Sequence, residues 1–500
     1  MTIAIDVTGY RISDGTLETL RFSDDGFMTL PSDTPANAYY EPRLSAPPHF
    51  ARSLFNTAQA SFGASQNTPG EIVLENSDGG IDYLLTDYAF DGRPFTMRVG
   101  SLGTPFAQWT VTASGTLSDV KVSNTTALSL VVNDRLQKLA LTQQRPTYGG
   151  TNVLPNGIDG TANDLAGQYK PRVYGSVLNI APKCVNTSLL IYQASDQANA
   201  VITAVSVVYD NGVVLTRDAD YASLADLQAT APAAGHYRCF QGYFRLGSSP
   251  NSQVTCDAST PSLTSAASIM QQIALDSGFT AADISAADVA ALNALNSAPC
   301  GVWADGQTTA QSLMDFVAGS IGAYYSFDRL GILRMGRLTA PSGSPAITFD
   351  DVVLEQINVQ EAGIPVYQVT IDYAKNYTVQ NQPAGSVTVD RRAWLAQQFR
   401  TQIATNAAIQ TAWPSATTQV YDTGLINASD GLAEAVRRLA LLGRRLLMKV
   451  DIDLSQLGTL DLGSVVAFTY PRYGLPSKLM VVVGVDAGAD THLATLTLWG

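Results

Sequence analysis

Asn211-Gly212 is the feature that most restricts the fold, because it lies between two runs rich in β-branched residues, ITAVSVVYD and VVLTRDADY. Asn and Gly tolerate the two positive φ angles of a type I′ turn, whose twist matches that of antiparallel strands. We therefore predict a β-hairpin centred on these two residues. The stretch specifies structure and supplies no catalytic group.

Period-two patterns fill much of the remaining chain. Short apolar runs broken by turn residues fill Phe50 to Arg98, where Asp91-Gly92 predicts the tight turn of another hairpin. Residues 108–134 then alternate apolar and polar positions, so about the first 140 residues predict a β-domain. A further hairpin is predicted over Tyr237 to Ala258, turning at Gly247 to Ser252. Residues 145–167, rich in Gly, Pro and Asn, predict a long ordered loop.

Helical periodicity replaces this alternation between Pro261 and Leu338. An apolar stripe from Leu263 to Ala274 predicts a helix that Gly278 ends, and a second helix can be capped by Thr308 or Thr309. Residues 285–297 predict a third helix, and residues 324–338 predict a strand, a turn and a strand.

Strands return after Ile347, including one predicted for SVTVDRR at residues 386–392. A single helix is predicted among them, starting at Ser429 or Asp430 as N-cap and ending in arginines that the helix dipole favours. The arginines of the segment Arg437 to Arg445 alternate with apolar residues, which indicates a solvated or interface face.

These patterns predict a mainly β, multidomain protein with an α+β insertion. Five hundred residues exceed the roughly 250–300 that one hydrophobic core supports. The predicted domains are an N-terminal β-domain (1–144), a β-hairpin-rich domain (145–258), a small α+β domain (259–345) and a C-terminal β-domain with one helix (346–500).

Composition limits the classes of partner. The formal net charge is −13, so nucleic acid would be repelled rather than bound. Charged residues are only 15% and hydrophobic residues 46%, which indicates a surface largely covered in an assembly or, alternatively, a compact soluble enzyme with large cores. The N-terminus has no secretory pattern and no apolar run approaches 20 residues, so we expect cytoplasmic synthesis without stable membrane insertion.

Four cysteines, Cys184, Cys239, Cys256 and Cys300, are too widely spaced for a local zinc signature. Buried free thiols are the expected state. A disulfide, with Cys239 and Cys256 as the best pair because they flank the predicted hairpin, or a metal site built from distant segments remains open. We otherwise predict no metal ligand and no cofactor-binding residue.

Residues suited to catalysis are few. The three histidines, His49, His236 and His492, lie in different predicted domains, and none accompanies a nucleophile-elbow motif. Carboxylates that could pair as in a glycosidase are more numerous, but acids at strand ends more often cap backbone N–H groups. These candidates are Asp24 with Asp25, Asp350 with Asp351, and the group Glu71, Glu75, Asp78 and Asp82. We therefore predict no catalytic residue and no enzyme.

Several stretches together resemble the tail-tip (baseplate) hub proteins of long-tailed bacteriophages and gene transfer agents. They are spread over most of Gly70 to Gly500, and their order is more specific than any one of them. The stretches are GEIVLENSDGGIDYLLTDYAFDGRPFTMRVG, KPRVYGSVLNIAPKCV, GYFRLGSSPNSQVTCDA, AYYSFDRLGILRMGRL, LGSVVAFTYPRYGL and LATLTLWG.

The resemblance implies a structural virion protein with β-barrel-like hub domains, assembled in the host cytoplasm and located at the tail tip. Three copies would form a ring that closes the tail tube and passes DNA during ejection. The implied partners are the distal tail protein, the C-terminus of the tape-measure protein and a central fibre or spike. Some hubs hold an iron–sulfur cluster on cysteines, but the four cysteines here do not form that compact ligand group.

Two other functions remain as alternatives. One is a tail-associated peptidoglycan hydrolase, although no segment with that chemistry is visible. The other is a receptor-binding tail protein, for which the aromatic segment Tyr470 to Leu475 could supply a binding face.

Overall fold

The computed structural model describes residues 1–54, 63–64, 66–133, 135–142, 145–196, 202–349, 354–360, 364–443, 446–453, 457, 460–470, 475–487 and 493–500. In these residues strands form six open sheets and helices are fewer, so the mainly β, multidomain class with α+β elements is confirmed. No helix in the described ranges is long and apolar enough to cross a bilayer.

The strands are β1 Thr2–Arg11, β2 Leu17–Ser23, β3 Phe27–Met28, β4 Tyr39–Pro42, β5 Leu44–Ala46, β6 Phe50–Ser53, β7 Gly63–Ala64, β8 Gln66–Pro69, β9 Glu71–Glu75, β10 Tyr88–Ala89, β11 Pro94–Gly100, β12 Thr110–Asn124, β13 Ala127–Asn133, β14 Arg172–Ile180, β15 Lys183–Asn186, β16 Ile191–Gln193, β17 Ala204–Asp210, β18 Val213–Val214, β19 Thr216–Arg217, β20 His236–Phe240, β21 Tyr243–Leu246, β22 Val254–Ser259, β23 Gly301–Ala304, β24 Ala323–Phe327, β25 Leu333–Arg337, β26 Thr348–Phe349, β27 Leu354–Gln360, β28 Val366–Tyr373, β29 Arg400–Thr405, β30 Thr417–Asp422, β31 Leu447–Asp453, β32 Val465–Tyr470, β33 Leu475–Ala487 and β34 Leu493–Trp499.

The α-helices are α1 Tyr83–Thr86, α2 Leu136–Ala140, α3 Leu224–Ala229, α4 Ala266–Asp276, α5 Ala286–Leu295, α6 Ala310–Ile321, α7 Val389–Leu395, α8 Ala407–Ala412 and α9 Ala428–Leu441. Short 3-10 helices occupy Phe106–Gln108 and Ala281–Asp283.

The first sheet has the order β3-β4-β2-β1-β11-β12-β13-β9-β5, and β10 also pairs with β1. Gly92 has a φ of 69° and Arg93 N donates to Phe90 O at 2.9 Å, so the predicted turn at Asp91-Gly92 exists. The predicted hairpin does not exist, because β10 and β11 do not pair with each other. Both pair with β1, at successive positions along that strand.

Two five-stranded sheets, β18-β17-β22-β14-β23 and β15-β16-β21-β20-β19, share one hydrophobic core and form a sandwich. The predicted turn at Gly247 to Ser252 is wrong as a hairpin turn, because β21 does not pair with β22. β21 instead pairs with β20 through a turn at Gln241-Gly242, where Gln241 has a φ of 52°. Residues 247–252 carry the chain from one sheet to the other.

The hairpin at Asn211-Gly212 is confirmed. β17 pairs with β18, and the two turn residues have φ angles of 47° and 84°. The tip is covered by the segment before α7: Ala384 N donates to Asn211 O at 3.0 Å. A Cβ added at Gly212 would lie 2.7 Å from Leu395 Cδ1. The turn is therefore a docking point as well as a chain reversal.

Gly212→Ala is expected to lower the free energy of unfolding by about 1–3 kcal/mol, because alanine is strained at this φ and its methyl would collide with Leu395. Chemical denaturation measures the change. Gly235→Ala is the matched control, since Gly235 also has positive φ but nothing within 4 Å of its added Cβ. Equal effects at both positions would contradict the proposed contact with Leu395.

The three predicted helices between residues 259 and 345 are confirmed as α4, α5 and α6. Ser265 forms a capping box at α4, Gly278 follows it with a φ of 82°, and Thr309 rather than Thr308 caps α6 by accepting from Ser312 N. Strands β24 and β25 follow as predicted, joined by a turn that Asp328 stabilises by accepting from Ile332 N at 3.0 Å.

The C-terminal part contains more helix than predicted. Residues 386–392 are not a strand: Thr388 accepts from Arg391 N and begins α7. α8, which Asn406 caps, was also missed, because a helix of only six residues is too short to show a periodic pattern. α9 starts at Ala428 with Asn427 at the N-cap position, earlier than the predicted Ser429 or Asp430.

Strand pairs also connect distant parts of the chain. β6 pairs with β8 and with β33 of the C-terminal sheet, β7 pairs with β24, and β14 pairs with β23. The C-terminal sheet has the order β26-β32-β33-β34-β31-β27. The three boundaries between the four predicted domains stay a prediction.

Candidate interaction surfaces

Most of the acidic candidates have structural partners. Asp24 accepts from Ile3 N at 2.8 Å, and Glu75 accepts from Ser77 N at 3.0 Å. Asp78 makes a bidentate pair with Arg43 at 2.7 and 2.9 Å. These acids cap backbone groups or neutralise an arginine, which are structural functions.

Among the described residues, Asp82, Glu71, His236 and His49 each contact a different partner. Asp82 accepts from Asn76 Nδ2 at 2.7 Å, and Glu71 pairs with Lys121. His236 Nδ1 lies 2.8 Å from Asp218 Oδ1, whereas His49 contacts Asp486. Asp350, Asp351 and His492 lie outside the described residues, as do the central residues of the segment Tyr470 to Leu475.

All four cysteines are free. Cys239 and Cys256 do not form the suggested disulfide; they lie in β20 and β22, strands of the two facing sheets, and both are buried in the sandwich core. Burial raises the pKa of Cys239 and of Cys300 to about 12, so both thiols stay protonated. Cys184 is half-buried in β15.

An iron–sulfur cluster would require several thiolates close together. Across the described ranges no three His, Cys, Asp or Glu side chains come together in a way that could hold a metal ion. The four cysteines therefore do not fit the ligand set of a cluster.

A buried ionic group holds α9 in place. The side chain of Glu434 is 1% exposed and contacts Arg337, Arg437 and Arg438, the last two at 2.7 and 2.6 Å. The expectation of a solvated or interface face is wrong at Arg437 and Arg438, since Arg438 is fully buried and Arg437 largely so. Arginines three and four residues after a glutamate were the available signal.

The charges in this group reinforce one another. Burial alone would oppose ionisation of Glu434, but the hydrogen bond from Arg437 and the charges of Arg438, Arg437 and Arg337 lower its pKa to about 2. Burial lowers the pKa of Arg438, yet a guanidinium stays charged in proteins. The charges of three arginines are therefore compensated by the single carboxylate of Glu434.

α9 covers one face of the three-stranded sheet β29-β28-β30, and we call these elements the α/β layer. On the covered face Tyr373 and Gln402 contact the position of Gly431, and the guanidinium of Arg438 lies 4.2 Å from the ring centroid of Tyr421. α9 therefore packs against one face of this sheet.

On the opposite face of the α/β layer, the two edge strands expose apolar side chains. Thr370 pairs with Ile403 on one side and Val420 on the other, so all three side chains share this face. Ile403 is 51% exposed and Val420 is 59% exposed. Both belong to strands that are edges of this sheet in the described residues. Thr370 between them is only 8% exposed, so the apolar exposure on this face is confined to the two edge strands.

The α/β layer has two further features. Asp372 and Asp422 pair across β28 and β30 on the same face, and burial together with the neighbouring Asp422 charge raises the pKa of Asp372. On the outer side of α9, Leu432 and Val436 are exposed one helical turn apart. Apolar side chains are therefore exposed on both sides of the α/β layer.

No family model matches the chain, and no curated protein matches it. Solved structures similar to it include phage tail and baseplate proteins and a gene transfer agent particle. The 43 kDa tail protein of prophage MuSo2 from Shewanella oneidensis is 10% identical, with 99% of this chain and 95% of that chain covered and a TM-score of 0.38.

Two other solved structures are similar. A chain of the virion of a native gene transfer agent particle is 13% identical, with 67% of this chain and 85% of that chain covered and a TM-score of 0.42. A tail protein from Neisseria meningitidis MC58 is 9% identical, with 99% of this chain and 96% of that chain covered and a TM-score of 0.39.

Proposed function

We propose that the chain is a non-enzymatic structural protein of a phage-type tail tip, the baseplate hub. Three copies form a ring that closes the tail tube. The ring joins the distal tail protein to a central fibre or spike, contacts the C-terminus of the tape-measure protein, and gives DNA a conduit during ejection. The six sequence stretches that resemble hub proteins suggest this role.

The exposed apolar side chains on the two edge strands of the α/β layer are the observation that carries the proposal. Edge strands with apolar side chains invite pairing with another chain, and soluble monomers normally protect such edges. Here Ile403 and Val420 lie on the two edge strands themselves. A closed homotrimer would cover a surface of this kind.

The charge of the chain suits a conduit. Three copies would carry about three times the formal charge of −13, so phosphate groups would be repelled during passage. We infer that part of this acidic charge lines the lumen, as the exposed-face pair Asp372 and Asp422 would if this face turns inward.

Purified protein is expected to have three times the 53.0 kDa chain mass in light scattering, and Val420→Lys is expected to weaken the association by about tenfold or more. A lysine at this position would bring a charge into a desolvated contact. Val153→Lys is the matched control, because Val153 is 81% exposed in the long loop. A monomer at every concentration tested, or equal effects of the two lysines, contradicts the proposed interface.

A further inference from the structure

A polar cleft of about 570 Å³ opens at one end of the first sheet, beside α1. This volume lies within the range of about 300–1,000 Å³ that small-ligand sites occupy. Its wall combines tyrosine rings with charged side chains: Arg11, Glu18, Tyr39, Glu41, Tyr83 and Tyr88.

The cleft has a built floor. A Cβ added at Gly9 would lie 2.7 Å from Tyr88 Cδ1, so only glycine lets the Tyr88 ring rest on strand β1. The Tyr88 hydroxyl donates to Glu18 and accepts from Arg11 Nη2 at 3.1 Å, and Arg11 also pairs with Glu18 at 2.5 Å. The three polar side chains hold one another in place before any ligand arrives.

Exposed aromatic rings are concentrated here. Tyr39 is 55% exposed and Tyr83 is 36% exposed, and every other aromatic side chain described in the structure is less exposed than these two. Both rings line the same cleft. A folded chain that buries or half-buries its other described aromatics leaves these two available for contact with a ligand.

The polar groups provide donors and acceptors together. Arg11 and Arg21 supply N–H donors, while Glu18, Glu41 and Asp87 supply carboxylate acceptors. The two positive and three negative charges nearly balance, which disfavours a strongly charged ligand. A ligand whose groups both donate and accept would satisfy this wall best, because each unpaired polar group costs free energy on burial.

We propose that this cleft binds a neutral saccharide, with a hexopyranose ring held against Tyr39 and Tyr83 and its hydroxyls hydrogen-bonded to Arg11, Glu18 and Glu41. Sugar rings offer an apolar face and a rim of hydroxyls, which matches this combination of rings and charged groups. The prearranged contacts among Arg11, Glu18 and Tyr88 reduce the ordering cost of binding. This inference goes beyond the hub role and does not depend on it.

The test uses the full chain and saturation-transfer NMR with maltose, cellobiose and di-N-acetylchitobiose as probes, and tetramethylammonium as a cationic comparison. At least one disaccharide is expected to bind. The double variant Tyr39→Ala, Tyr83→Ala is expected to weaken that binding by about tenfold or more. The double variant to phenylalanine keeps both rings and is expected to retain binding within about threefold.

Val122→Ala serves as the control, since Val122 is 60% exposed on β12 and does not line the cleft. Thermal unfolding of each variant checks that the first sheet remains folded. The proposal would be overturned by binding of no disaccharide, by binding that survives loss of both rings, or by binding of the cation alone. An equal loss of binding in Val122→Ala would overturn it as well.

Discussion

Glu434→Gln is expected to lower the free energy of unfolding by about 3–5 kcal/mol, because it leaves buried arginines without their carboxylate. Arg337, Arg437 and Arg438 all contact this one side chain, and Arg438 is completely buried. Chemical denaturation of the intact chain measures the loss. Since α9 covers one face of the sheet β29-β28-β30, hydrogen exchange should also accelerate in β28 and β29.

Asp220→Asn gives the contrast for this variant. Asp220 is 56% exposed and pairs with the partly exposed Arg217, so its replacement is expected to cost no more than about 1 kcal/mol. A Glu434 variant as stable as the Asp220 variant would show that the buried group contributes nothing.

The same group makes a signed contribution to acid stability. The folded-state pKa of Glu434 is lowered to about 2, whereas a glutamate in an unfolded chain titrates near about 4.3. Its contribution is therefore fully present above the unfolded value and is lost as the pH falls toward about 2. Glu434→Gln should remove this part of the acid dependence.

Gly175→Ala is expected to be the most damaging glycine substitution in the sandwich. Gly175 has a φ of 74°, which strains an alanine by about 1–3 kcal/mol. Its added Cβ would lie 2.7 Å from Ile269 Cδ1, 2.9 Å from Gly301 Cα and closer still to the carbonyl oxygen of Cys300. Overpacking of this kind costs a further ~1–3 kcal/mol.

The expected result is loss of the β14–β23 pairing and a large drop in the denaturation midpoint. Gly319→Ala has the opposite expected sign, because Gly319 lies within α6 with nothing within 4 Å of an added Cβ, and alanine favours a helix by about 1 kcal/mol. A stable Gly175→Ala protein would mean that β14 and β23 can separate without cost.

Some features with a local cause were predictable from the sequence, although the locally capped helices α7 and α8 were not predicted. Asn211-Gly212 formed its hairpin because two adjacent residues set both turn angles. Ser265 and Thr309 capped helices because each side chain reaches a backbone N–H three residues away. In such places the neighbouring residues alone determine the structure.

Features with a distant cause were not predictable. The composition of Gly247 to Ser252 suggests a hairpin turn, but these residues connect two sheets, and the strands beside β22 are the distant β14 and β17. Likewise, Arg438 is buried because it pairs with the carboxylate of Glu434 and packs against the ring of Tyr421. Its own segment shows only an alternation of arginine and apolar residues. The polar cleft was missed for the same reason.

The pairing of β6 with β33 has a consequence for synthesis. Ser53 lies opposite Gly484, so a ribosome completes β6 about 430 residues before its partner, a delay of roughly 20–90 s at usual elongation rates. During that interval one side of the β6–β8 ribbon must wait unpaired. Nascent chains with this unpaired edge are consequently prone to aggregate with one another. Slower translation should therefore increase their dependence on chaperones.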